Sequence, residues 1–175
     1  MIKYSIKMQT LEAIKTRRSV RSYSDTQKLT PEQIAEVVEY GLYAPSAHNQ
    51  QARKFFIVTK QKDLDFLGEL KQGGRMIPKS SGVVLACFDD SKLKSPDFIQ
   101  QDMGASIQNI LLAIHDKGYG AVWVGTYPHE NLVDEIKKYF DFPTNIIPFA
   151  ILAIGVPNEE LMPKNLKVDG KIEIL

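Results

Sequence analysis

Long apolar runs are what this chain most clearly lacks. Nothing in the opening MIKYSIKMQT or behind it approaches the ~20 consecutive apolar residues that cross a bilayer, and no secretory leader pattern is visible, so no membrane partner is expected. Cysteine is almost absent: the single one in 175 residues cannot form an internal disulfide. It is Cys87, set in the run VVLACF, and reads as a core residue rather than a nucleophile. A reducing, cytoplasmic setting is the expectation. An excess of one charge is missing too, with 22 Lys plus Arg against 21 Asp plus Glu. No global field draws the protein to nucleic acid, and any basic site must be local. His48, His115 and His129 show no metal-ligand spacing, and no Ser or Cys is paired with a base. No GxGxxG or GxxxxGK[ST] opens a helix, which argues against the usual dinucleotide and triphosphate folds.

What is present suits one globular domain over residues 1–175, with 43% hydrophobic and 25% charged residues. Asp102 to Gly125, DMGASIQNILLAIHDKGYGAVWVG, organises it. Met103, Ile107, Ile110, Leu111 and Ile114 fall on one helical face that needs a core to cover it. Asp102, Ala105, Ser106, Asn109 and Ala113 make a second, low-relief stripe where a helix of another subunit is expected to approach. Gly118 and Gly120 stop the helix. AVWVGT follows with strand character and no alternation, which predicts a central strand, where an aromatic such as Trp123 is usually core although it could also stack on a planar ligand.

In chain order, Met8 to Arg18 reads as a first helix with Met8, Leu11 and Ile14 on one face. Thr30, Pro31 and Gln33 start a second by a capping box, with Ile34, Val37, Val38 and Leu42 buried and Pro45 as its breaker. KFFIVT, GVVLACF and PFAILAIG read as buried strands, QKDLDFLGELK and NLVDEIKKYF as short helices, and Ser95 with Pro96 as the cap of the organising helix. The order helix, helix, strand, then three helix–strand pairs gives an α+β domain, with a doubly wound α/β sheet as the alternative. From about residue 157 to 175 the chain turns polar. It reads as an arm laid on another surface, its closing KIEIL favouring a strand added to a sheet edge.

RRSVR places Arg17, Arg18 and Arg21 around Ser19 where a helix gives way to an extended segment. Forked guanidinium donors fit phosphate oxygens, although solvated surface arginines would read the same way. RRSVRSY, PSAHNQQ, DMGASIQNILLAI with GYGAVWVG, and PFAILAIGVP together resemble the nitroreductase family in order and spacing, over about Leu11 to Lys167.

That resemblance implies an α+β FMN-binding sandwich, a central mixed sheet flanked by helices, and an intertwined homodimer with exchanged C-terminal arms. It implies that Arg17, Ser19 and Arg21 bind the FMN phosphate and ribityl chain, with Arg18 near the ring's polar edge. Pro45, Ser46, Ala47 and Asn49 would reach the flavin of the other subunit, and the backbone at Val124 and Gly125 would face flavin N5. Lys164, or Lys167, would be a tail phosphate contact, and Arg75 a further phosphate or ribityl contact. QQARKF departs from the family's usual Gln-Pro-Trp at Ala52 and Arg53. The implied activity is hydride transfer from NADH or NADPH through FMN to a nitroaromatic, quinone or similar small-molecule acceptor, in a ping-pong sequence. No side-chain acid or base stands out, which suits chemistry carried by a cofactor. The alternatives are a specialised flavin dehydrogenase or dehalogenase acting on a small cyclic compound, and a non-catalytic flavin store.

Overall fold

The computed structural model describes residues 9–162, 164, 166 and 169–174; Met8 and Lys167, both named above, lie outside them. Helices α1 (Thr10–Thr16), α2 (Pro31–Glu39), α3 (Gln61–Glu69), α4 (Ile99–Asp116) and α5 (Glu130–Tyr139) alternate with strands β1 (Arg53–Val58), β2 (Gly82–Asp89), β3 (Gly120–Gly125) and β4 (Ile146–Gly155) in the expected order. The strands form one sheet in the order β1-β2-β4-β3. It is antiparallel, not mixed. Parallel pairing among the described residues is confined to one bridge, Ser19 to Ala121.

Two apolar clusters fill the two faces of this sheet. On one face α2 and α4 bury Ile34, Val37, Met103, Ile107, Ile110 and Ile114 against Val84, Leu152 and Ile154. On the other α3 and α5 bury Leu64, Leu67 and Ile136 against Leu85, Val122 and Ile151. β2 and β4 read as continuous apolar runs because both of their faces are covered. The start of α2 follows its capping box: Thr30 Oγ1 accepts from Gln33 N, and Gln33 Oε1 accepts from Thr30 N.

Several expectations are corrected. β3 is an edge strand, and Trp123 is 36% exposed rather than core; an apolar run reports cover above and below a strand and says nothing about neighbours in the sheet plane. The α4 stripe is partly spent inside the chain, where Ser106 Oγ donates to Gly41 O at 2.6 Å and Asp102 is buried. Ala105, Asn109 and Ala113 stay half-buried. Leu42 is exposed, because α2 tightens into a 3-10 turn at Tyr40–Tyr43 and rotates it off the buried face. α1 is shorter than expected, and Leu11 and Ile14 point to solvent. Ser95 and Pro96 open a 3-10 turn, and α4 itself begins at Ile99. The described residues of the KIEIL end form no strand.

Candidate functional site

The basic segment is held as an extra, irregular strand beside β3. Val20 N donates to Ala121 O at 2.9 Å, and Gly120 leaves room for it, since a Cβ there would sit 2.8 Å from the Val20 side chain. On the segment's other side the chain leaving β4 doubles back, with Tyr23 bridged to Pro157 and Asn158 N donating to Ser22 O. The Tyr23 hydroxyl lies 2.9 Å from both the Val20 and Ala153 carbonyls. Burial, ahead of the nearby Glu159 charge, pushes its pKa well up. Glu159 Oε1 accepts from the amides of Arg21 and Ser22 at 2.5 and 2.9 Å. This carboxylate was not singled out from sequence, where it is one acid in a polar tail.

Arg17 and Arg18 gather at the C-terminal end of α4. Thr16 Oγ1 lies 2.8 Å from His115 Nε2, fixing the end of α1 to that helix. The Arg18 guanidinium donates to Met162 O, Lys15 O and Arg17 O, tying the start of the tail to α1. Lys164 joins them: partial desolvation and the charges of Arg17 and Arg18 lower its pKa. Burial and then the Arg18 charge lower that of Arg17, and burial, then Arg17 and Arg18, lower that of His115. All three shift toward the uncharged form, the direction that an anion bound among them would reverse. Arg21 and Arg75 meet in a neighbouring cleft of about 450 Å³ that Lys79 and Asn158 also line.

At the end of β3 the edge position has a chemical consequence. Thr126 N donates to Phe149 O, inward across the sheet, whereas the Ala121 carbonyl points outward to Val20. Alternation along an antiparallel strand therefore turns the main-chain groups of Trp123 and Gly125 outward. Lys71 Nζ donates to Gly125 O at 3.1 Å, in agreement. A Cβ at Gly125 would meet nothing within 4 Å, so the sheet face over this residue is open. Val124 is buried among the α5-side residues and contributes backbone only. Lys71 is a second residue that sequence reasoning missed, since nothing in its neighbours separates it from the other lysines.

PSAHNQQ lies elsewhere. It feeds β1, at the opposite edge, three strand spacings or roughly 14 Å across the sheet. Its own anchor is Asp102, near the start of α4, and ~1.5 Å of rise per residue puts that anchor roughly 20 Å along the helix from His115. His48, Asn49 and Gln51 have φ of 48°, 50° and 45°. For non-glycine residues this costs about 1–2 kcal/mol each, less for Asn. Ser46 Oγ accepts from Gln51 N, and Asn49 Oδ1 accepts from Gln51 Nε2. Pro45, Ser46 and Ala47 line an open hollow with Phe98 and Gln101. Arg53, the departure from the family pattern, donates to the carbonyls of Leu42, Ala44 and Pro45. It braces the turn entering the loop.

The structure thus brings Arg17, Arg18 and Lys164 into one basic cluster, with Ser19 beside it in sequence, and brings Arg21 and Arg75 into one cleft. It keeps Pro45, Ser46, Ala47 and Asn49 apart from both. Cys87 is fully buried, and burial pushes its thiol up to about 12, as suits a core residue. No helix of the described residues is long and apolar enough to cross a membrane.

Fold and site define a class: an α+β sandwich with a basic segment laid beside its edge strand and a separate polar loop on the far edge. Within that class the chain belongs to the nitroreductase family, whose profile matches residues 14–84 and 69–156. It is 39% identical over 168 residues, 96% of this chain and 87% of the other, to a Methanothermobacter thermautotrophicus protein provisionally named NADH dehydrogenase/NAD(P)H nitroreductase. A Clostridium acetobutylicum crystal structure provisionally named NADH oxidase superposes with TM-score 0.87 at 31% identity, covering 93% of this chain and 98% of the other. A provisionally named nitroreductase from Desulfovibrio desulfuricans, crystallised in complex with FMN, superposes with TM-score 0.82 at 26% identity, covering 93% and 94%.

Proposed function

We propose that this chain is an FMN-dependent oxidoreductase acting as a homodimer, which moves hydride from NADH or NADPH to a nitroaromatic, quinone or similar small acceptor in a ping-pong sequence. The observation that carries this reading is the main chain of Gly125 turned out of the sheet, on the same edge as the basic segment. Bound there, FMN would supply a centre that takes up hydride and gives it away, chemistry no side chain here offers.

The residues fit that group. Arg17 and Lys164, with Ser19 two residues after Arg17, would provide the several donors that a phosphate carrying nearly two charges needs. Arg21 and Arg75 put cations on the adjoining cleft, where they would contact the phosphate or ribityl chain. The Gly125 N–H would orient the reacting edge. Pro45, Ser46, Ala47 and Asn49 lie too far across the sheet to complete the same site from the same chain, and in a dimer they would close the partner's. The exposed Leu11, Ile14, Tyr40, Leu42 and Tyr43 support such an association. Of these, Tyr40 and Tyr43 line a hollow of about 340 Å³ together with Ala13, Leu112 and Ala113 of α1 and α4.

Complementation tests the two-chain site directly. A chain carrying Arg17→Ala and Arg21→Ala is mixed with an Asn49→Ala chain, and the heterodimer should regain partial flavin binding because one of its two sites is intact. A flavin-loaded monomer with full activity in sedimentation would overturn the dimeric site. Protein showing no flavin absorbance after reconstitution with FMN would overturn the cofactor. Bound flavin that stays oxidised under excess NADPH would favour a storage role instead.

A further inference from the structure

The loop 45–51 has few bonds of its own: Ser46 Oγ and Asn49 Oδ1 accept from Gln51, and Arg53 braces Pro45 at its entry. Its internal main-chain bonds are two, Asn49 N to Ser46 O and Gln50 N to Ala47 O, both 3.0 Å, and three of its residues stand in left-handed conformations without being glycine. Such a backbone persists only where its surroundings over-determine it. The surroundings here are a buried polar pair. Asp102 is 6% and Gln50 5% exposed. Asp102 Oδ1 accepts from Ala47 N at 2.9 Å, and Asp102 Oδ2 accepts from Gln50 Nε2 at 2.6 Å. Gln50 Oε1 in turn accepts from the amides of Lys94 and Ser95, both at 3.0 Å. α4, the loop and the 93–95 segment are thereby joined through one amide side chain and one carboxylate. The atoms are matched donor to acceptor, so the pair specifies a single loop geometry.

We propose that Asp102 is the positioning residue of the candidate site. Through Ala47 and Gln50 it fixes the loop, before any ligand arrives, in the shape that presents Ser46, Ala47 and Asn49 to the flavin of the partner subunit. This rests on the reading of that loop as flavin-facing. Asp102 touches no reacting atom; it acts by holding the groups that do. Preorganisation of this kind lowers the ordering cost that would otherwise weaken binding.

The polarity of the pair provides the test. Asp102→Asn turns an amide toward the Gln50 Nε2 donor and breaks the match, and Gln50→Glu sets two carboxylates face to face. The double variant Gln50→Glu/Asp102→Asn restores one donor and one acceptor. Its new carboxylate, on the loop, still accepts from the Lys94 and Ser95 amides and gives up only the long 3.5 Å donation to Ser95 O, and the oxygen of its new side-chain amide, on α4, still accepts from Ala47 N. Two quantities are read on the dimer: amide exchange of residues 46–51 in the FMN-free protein, and the dissociation constant for FMN. Each single variant should speed loop exchange and weaken FMN about tenfold. The double variant should recover most of both, even where a single variant is too poorly folded to assay. Unchanged loop exchange in Asp102→Asn would overturn the positioning role. Faster exchange with unchanged FMN affinity would also overturn it, by showing that the clamp holds a loop the flavin does not use. Wild-type protein that binds no FMN would instead overturn the flavin reading while leaving the clamp measurable by exchange.

Discussion

The two edges of the sheet hold their functional groups in opposite ways. Along β3, Arg17, Arg18 and Lys164 crowd like charges at a surface, with Arg18 tied to three carbonyls, and the backbone that follows them is laid down by strand-like bonds to Ala121 and Pro157. Along β1, the 45–51 loop has almost no charge, yet a buried carboxylate and amide set its backbone. The difference follows from what each would bind. Attraction between a phosphate and several cations falls off slowly with distance and tolerates mobile side chains. Hydrogen bonds to the edge of a planar ring weaken steeply with angle and need donors held still. One edge supplies charge, the other geometry.

The comparison breaks most visibly if the charge is removed. Arg17→Ala/Arg21→Ala should weaken FMN at least a hundredfold by titration calorimetry, since hydrogen bonds to charged groups contribute about 1.5–3 kcal/mol each, while far-ultraviolet dichroism stays unchanged. A loss under tenfold would mean that the loop edge carries the affinity and that the contrast is misplaced.

Gly120→Ala attacks the backbone under the same edge. The new methyl would lie 2.8 Å from Val20, so the segment must lift off β3. Overpacking of this kind costs about 1–3 kcal/mol, measurable as a lower denaturation midpoint, and FMN affinity should fall about tenfold. Wild-type affinity would show that the segment need not lie on β3.

Salt sharpens the contrast. Raising ionic strength from 0.1 to 1 M shortens the Debye length from ~10 Å to ~3 Å, so FMN binding to wild-type protein should weaken several-fold. The ratio of affinities between wild type and Asp102→Asn should stay constant, because the buried pair is not screened.

The smallest effect concerns pH. The His115 pKa is lowered in the folded state by burial and then by Arg17 and Arg18, so the unfolded chain binds its proton more readily. The contribution is therefore fully present above the ordinary imidazole value of about 6.5 and is lost as the pH falls through it toward the lower folded value. FMN-free protein should melt at a lower temperature as the pH drops through that window. His115→Gln should flatten this dependence, and an unaltered profile would remove His115 from the account.

Sequence periodicity was enough to order the helices and strands, to identify the buried faces of α2 and α4, and to place the capping box at Thr30, because these depend on neighbours three or four residues apart. The forked donors of RRSVR offered a phosphate-binding reading beside a plain surface one, and the family resemblance, not periodicity, drew attention to PSAHN. What periodicity could not supply was lateral order. AVWVG carries the pattern of a strand covered on both faces, and that pattern is the same at the centre of a sheet and at its edge. Only the assembled sheet puts β3 outermost and turns the Gly125 amide outward. For the same reason Glu159, Lys71 and Asp102 were not recognisable as parts of the site. Each acts on backbone between 54 and 138 residues away in the chain, and the distances that give them meaning exist only once the sheet has closed.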